Sequence, residues 1–76
     1  MTLTNIIEGE RFYLNARKAK VNDDTALAQA LYRKAIFAYS RDFSFEVAAM
    51  IALEAGLEEE AKTRYRMQRL ATQKYI

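Results

Sequence analysis

Apolar residues recur along the chain at intervals of three and four, the spacing of helices that bury one face. No stretch alternates apolar and polar residues with β-branched enrichment, so no strand is expected. Capping signals divide the pattern into four helices. Asn5 followed by Glu8 has capping-box-like spacing and opens a helix from about Ile6 to Lys20. Val21 to Asp24 form the first turn, and Asp24 caps a second helix from about Thr25 to Ser40, rich in strong helix formers. Arg41 to Ser44 form the second turn, with Asp42 or Ser44 as cap. A third helix runs from Phe45 to Ala55 and ends at Gly56, which suits a left-handed position, with Leu57 as the apolar closing contact. The fourth runs from about Glu58 to Tyr75.

The second helix is apolar at Leu27, Leu31, Ile36 and Phe37 among others, and the third from Val47 through Leu53 without a break. Helices apolar all round belong in the middle of an assembly, so the first and fourth are expected outside, with polar faces outward.

The chain matches itself at an offset of 33. Phe12 falls on Phe45, Ala16 on Ala49, Ala19 on Ala52, Ala28 on Ala61 and Tyr32 on Tyr65. This order of aromatic and small residues resembles the tetratricopeptide repeat, whose period is about 34. Gly56 to Ala61 looks like that repeat's inter-helix turn. The chain departs from the family at Ala19 and Ala52, where an aromatic is usual, at Asn15 and Ala48, where a large apolar residue is usual, at Asp23, which stands where Gly56 stands in the second copy, and in having no closing proline. A four-helix bundle with coincidental alanines is the alternative. A three-helix module of the microtubule-interacting and trafficking type is a further resemblance, against which Gly56 argues by breaking the long final helix. The expected architecture is therefore all-α: four helices in two stacked antiparallel hairpins, tetratricopeptide-like, in one domain spanning 1–76, with repeat-like copies at about 9–41 and 42–74.

The resemblance implies a concave side lined by the first helix of each copy, which sets Tyr13, Arg17 and Lys20 beside Glu46, Met50 and Leu53. Met50 and Leu53 have core as their plainer role. The paired Lys and Asn positions that grip a terminal carboxylate in one subclass are missing. The same register places Phe37 against the third helix. Leu70, its equivalent, then sits where a third repeat would dock, about 180° from an inward stripe of Ala61, Tyr65, Thr72 and Tyr75.

Composition narrows the chemistry. The 76 residues contain no Cys, His, Trp or Pro, which excludes disulfides, thiolate or imidazole metal sites and His-dependent nucleophiles. Glu8 with Glu10, Asp23 with Asp24, and Glu58 to Glu60 all lie at helix starts or turns, where capping accounts for them. No catalytic, cofactor-binding or metal-binding residue is expected, and no cofactor. No apolar run is long enough to span a membrane and no signal peptide opens the chain, so a cytoplasmic protein is expected. The net charge of +2 is mild, but the tail after Glu60 carries Lys62, Arg64, Arg66, Arg69 and Lys74 with no acid. Lys62, Arg66 and Arg69 share one helical arc, and with Arg17, Lys18 and Lys20 they support a rival expectation, a small nucleic-acid-associated regulator. The third helix is too apolar to lie in a groove of DNA.

These features lead to the expectation of a non-enzymatic protein–protein interaction module: an adaptor, a chaperone-like subunit or a small inhibitor of a larger protein. A two-copy stack is short of the roughly three repeats that solenoids need for stability. A homodimer or a docked partner is therefore expected at the fourth helix, through Met67 and Leu70 with Lys62, Arg66 and Arg69 as a basic rim.

Overall fold

A computed structural model describes residues 3–73. It is all-α, with α1 spanning Leu3–Val21, α2 Thr25–Arg41, α3 Phe45–Glu54 and α4 Glu58–Gln73. Each helix packs on its neighbour in the chain, so α1 with α2 and α3 with α4 form two antiparallel hairpins that meet where α2 packs on α3. The molecule is a slab with extents of 45 × 26 × 12 Å.

The three turns share one device. Asp23, Phe43 and Gly56 take the left-handed conformation, at φ 61°, 61° and 76°. In each, the left-handed residue donates its N–H to the carbonyl three back, and the next residue donates to the carbonyl five back: Asp24 to Ala19, Ser44 to Tyr39, and Leu57 to Ala52. These paired bonds satisfy helix-end carbonyls in the Schellman pattern. The residue that completes each motif also starts the following helix, because Asp24, Ser44 and Leu57 accept from the N–H of Ala28, Ala48 and Ala61. Those three alanines are buried. Asp24 further accepts from the Leu27 N–H at 3.2 Å, as a cap of α2 should, whereas Ser44 stands at the start of α3 without a side-chain cap bond.

Asn5 does not open α1. The helix begins at Leu3, and the Asn5 amide donates instead to Asp42 at 3.3 Å, tying the first helix to the second turn. A long-range partner outcompetes the local cap. α3 ends at Glu54, with Ala55 as its C-cap. Tyr75 and Lys74 lie outside the described residues.

Nine of the twelve buried apolar residues among those described are alanines; only Tyr32, Ile36 and Ile51 are larger. Small side chains let helix axes approach closely, but each alanine removes little apolar surface from water. Gly9 extends the same logic inside α1, where a Cβ would meet the Tyr39 ring at 2.8 Å.

Three expectations about burial fail. Phe37 does not face α3; it is 61% exposed on the side of α2 turned away from the core. Met50, Leu53 and Val47 are exposed on α3, and Leu27 on α2, so neither helix is covered all round. Each touches its neighbours through only part of its circumference, and two hairpins provide too few neighbours to cover the rest. Tyr65 and Thr72 likewise leave the inward stripe of α4, Tyr65 half-covered and Thr72 exposed, so that only Ala61 is fully buried there.

Candidate functional site

The strongest polar constellation joins three helices at Glu54. The Tyr13 hydroxyl on α1 donates to Glu54 Oε1 at 2.6 Å, and the Tyr32 hydroxyl on α2 donates to Oε2 at 2.8 Å. Arg17 lies 3.5 Å from Oε2 through its Nε and stacks its guanidinium over the Tyr13 ring at 5.5 Å. The two tyrosine rings are tilted against each other with centroids 6.3 Å apart. Helical geometry explains the convergence. Tyr13 and Arg17 are one turn apart on the edge of α1 that faces α3, and Glu54, in the last turn of α3, reaches back across the gap.

The electrostatics follow from this geometry. Burial pushes Glu54 up, but the two tyrosine hydrogen bonds and the nearby Arg17 and Lys20 charges outweigh it and hold the carboxyl below its usual range. Burial and the bond to Glu54 push Tyr32 up to about 12. Tyr13 is raised chiefly by its bond to Glu54. Both phenols are thus held protonated as donors to a carboxylate, which makes the cluster a clamp between hairpins. Neither is poised to exchange protons near neutrality.

Two apolar stripes flank the clamp. On α1, Ile7, Leu14 and Val21 recur every seven residues on the side away from α2, and all are exposed. On α3, Met50 and Leu53 share an outward arc with Glu46. A groove at the end of α1 is lined by Leu14, Arg17, Lys18, Val21 and Asn22.

Of the residues expected on the concave side, Tyr13 and Arg17 come together, through Glu54 rather than through Glu46, Met50 or Leu53. Lys20 lies near enough to act on the Glu54 charge. Met50, Leu53 and Glu46 point outward on the adjoining helix. Sequence reading missed Glu54 and the seven-residue stripe of α1; the stripe was open to view as a heptad, but Glu54 carries no local signal. On α4, Lys62, Arg66, Met67, Arg69 and Leu70 are all exposed. Lys62 pairs with Glu59 at 3.6 Å, while Arg64 turns inward to Glu60 and to the Ser40 hydroxyl. Lys18 and Lys20 are also exposed, but on α1, at the other end of the helix order from α4.

Among the described residues no group of three or more acidic side chains is gathered closely enough to hold a metal ion, and no helix is long and apolar enough to cross a membrane. Compared with protein-family models, curated proteins and solved structures, the chain finds no match.

Proposed function

We propose that the chain is a non-enzymatic protein-interaction module built on tetratricopeptide-like hairpins, which holds an apolar partner segment across the face formed by α1 and α3. The observation that carries this is the row of exposed Ile7, Leu14, Val21, Met50 and Leu53 on either side of the Tyr13–Arg17–Glu54 clamp. Exposed apolar groups scattered singly are ordinary, but a row on two adjoining helices is a docking surface. Aromatic, Met and Arg side chains are also what interface cores favour. The repeat reading is supported by like turns at Asp23 and Gly56 and by like burial in the pairs Ala16 and Ala49, Ala19 and Ala52, and Ala28 and Ala61.

A second contact is assigned to the outward side of α2 and α4, where Phe37, Met67 and Leu70 are exposed. There the chain pairs with a second copy. Nucleic acid is the outcome against which both contacts are tested.

The test compares Met50→Glu and Leu14→Glu with wild type in affinity capture from the source cell, with helicity checked by circular dichroism. A captured protein lost from both variants and kept by Leu70→Glu supports the α1/α3 face. Capture that survives both variants, or retention on DNA that collapses as salt rises, overturns it.

A further inference from the structure

The edge of α2 that meets the second hairpin shows what such an edge needs. Gln29 donates its amide to the Ala55 carbonyl at 2.9 Å, Tyr32 its hydroxyl to Glu54 at 2.8 Å, and Arg33 lies 3.6 Å from Glu60. The second hairpin thus covers the first with two carboxylates and a helix-end carbonyl. An offset of 33 carries Gln29, Tyr32 and Arg33 onto Lys62, Tyr65 and Arg66 of α4. Tyr32 is 1% exposed and Tyr65 38%. Each follows a buried alanine by four residues, so the difference lies in the missing neighbour rather than in the helix. Glu60 and Arg64 face α2, which turns Tyr65, Arg66 and Arg69 to the opposite, open edge.

We infer that this open edge of α4 is a docking site for an acidic helical segment of a partner protein, which sets one carboxylate on the Tyr65 hydroxyl and a second on Arg66, as Glu54 and Glu60 do on Tyr32 and Arg33. Charge selects that occupant. After Glu60 the helix carries Lys62, Arg64, Arg66 and Arg69 and no acid, and Tyr65, Arg66 and Arg69 make no polar contact within the described chain. A second copy stacked head to tail would present its first hairpin, where the positions 33 residues before Glu54 and Glu60 are Val21 and Leu27. It would therefore set no carboxylate at either place, leaving the Tyr65 hydroxyl and the Arg66 charge unmatched. The inference rests on the hairpin equivalence proposed above but not on the α1/α3 face, so the two fail separately.

The probe is a synthetic peptide of residues 44–60, the segment that covers the first edge, titrated into the isotope-labelled full chain and followed by amide shifts. Shifts centred on Tyr65, Arg66 and Arg69 are expected. Replacing Glu54 and Glu60 of the peptide by Gln should weaken binding about tenfold, the scale of one lost charge-assisted bond. Arg66→Glu in the full chain should weaken it similarly at unchanged helicity, and Tyr65→Phe should do so to a smaller degree. No shifts at about 1 mM peptide, the weak end of specific binding, would overturn the site. So would shifts confined to the α1/α3 face, equal binding of the Gln peptide, or self-association of the free chain through Tyr65. Tighter binding of a DNA duplex at the same edge, indifferent to Tyr65→Phe, would reassign it to nucleic acid.

Discussion

Phe43 carries the same left-handed backbone as Gly56, at φ 61° against 76°, in a turn with the same two hydrogen bonds. Glycine takes that conformation without penalty, whereas a side chain with a Cβ pays about 1–2 kcal/mol. The phenyl ring recovers little of this, because it is 76% exposed and its edge-to-face contact with Phe45 lies at the surface. Phe43→Gly is expected to raise stability by about 1 kcal/mol in urea unfolding. A loss of stability would show that the ring is held by more than its neighbour Phe45. Asp23→Gly should gain less, since Asp tolerates this region better than Phe.

Glu54 holds two hydroxyls, one of them that of Tyr32, which is 1% exposed. Glu54→Ala removes the acceptor of that hydroxyl, at a cost of about 1–3 kcal/mol. Adding Tyr32→Phe to that variant should recover part of the loss, because the orphaned donor disappears. Independent, additive losses in the double-mutant cycle would show that the bond is not formed in solution.

The same cluster sets a pH window. Glu54 is depressed in the folded state, so its contribution is complete above its ordinary value of 4.5 and is lost as pH falls through the lower folded value. Tyr32 is raised, so its contribution is complete below 10 and is lost as pH climbs through about 12. Stability is expected to hold across neutrality and to decline at both ends. In Glu54→Ala both phenols lose the hydrogen bond and the negative charge that raise them, so their phenolate titration, read by ultraviolet absorbance, should shift to lower pH. An unchanged phenolate titration would remove Glu54 as the cause.

Ala61 is buried where α4 starts, one residue position in the turn motif that Ala28 and Ala48 repeat. Ala61→Leu is expected to overpack that crossing and to cost about 1–3 kcal/mol in thermal or urea unfolding. An unaltered midpoint would mean that the hairpin is looser there than its burial implies.

Much of the helix pattern could be read in the sequence because the cues are local. Asp24 and Gly56 perform the jobs their positions announce, and the all-α, two-hairpin arrangement follows from alanines at helical spacing. Asn5 misled because its amide has a better partner 37 residues away. Phe37 and Met50 misled for a different reason. An unbroken apolar run says that a helix has a core face but not how wide it is, and width depends on how many neighbours the fold supplies. Glu54 was illegible because its partners lie 41 and 22 residues back on two helices, and neither spacing has a periodic signature.

The outward side of α2 and α4 closes the set. Phe37 and Leu70 follow the buried Ala28 and Ala61 by nine residues each, which turns both about 180° away from the core. They are 61% and 55% exposed, with Met67 partly exposed beside them. An alanine-rich core buries little apolar surface for 76 residues, so covering this side through a twofold contact would add what the core lacks. The side is also fringed by cations: Arg41 stacks over the Phe37 ring at 5.9 Å, and Arg33 and Arg66 flank it on the two helices. Bringing two copies together sets like charges close, so added salt should strengthen pairing by screening them. Docking of an acidic helix or of nucleic acid responds in the opposite sense, because salt weakens attraction between unlike charges. Sedimentation across a salt series therefore separates the contacts. The wild-type chain is expected to pair increasingly as salt rises, and Leu70→Glu to remain monomeric throughout. A wild type that stays monomeric at about 50 µM, where moderately tight dimers are populated, at every salt concentration would leave Phe37 and Leu70 as ordinary exposed residues.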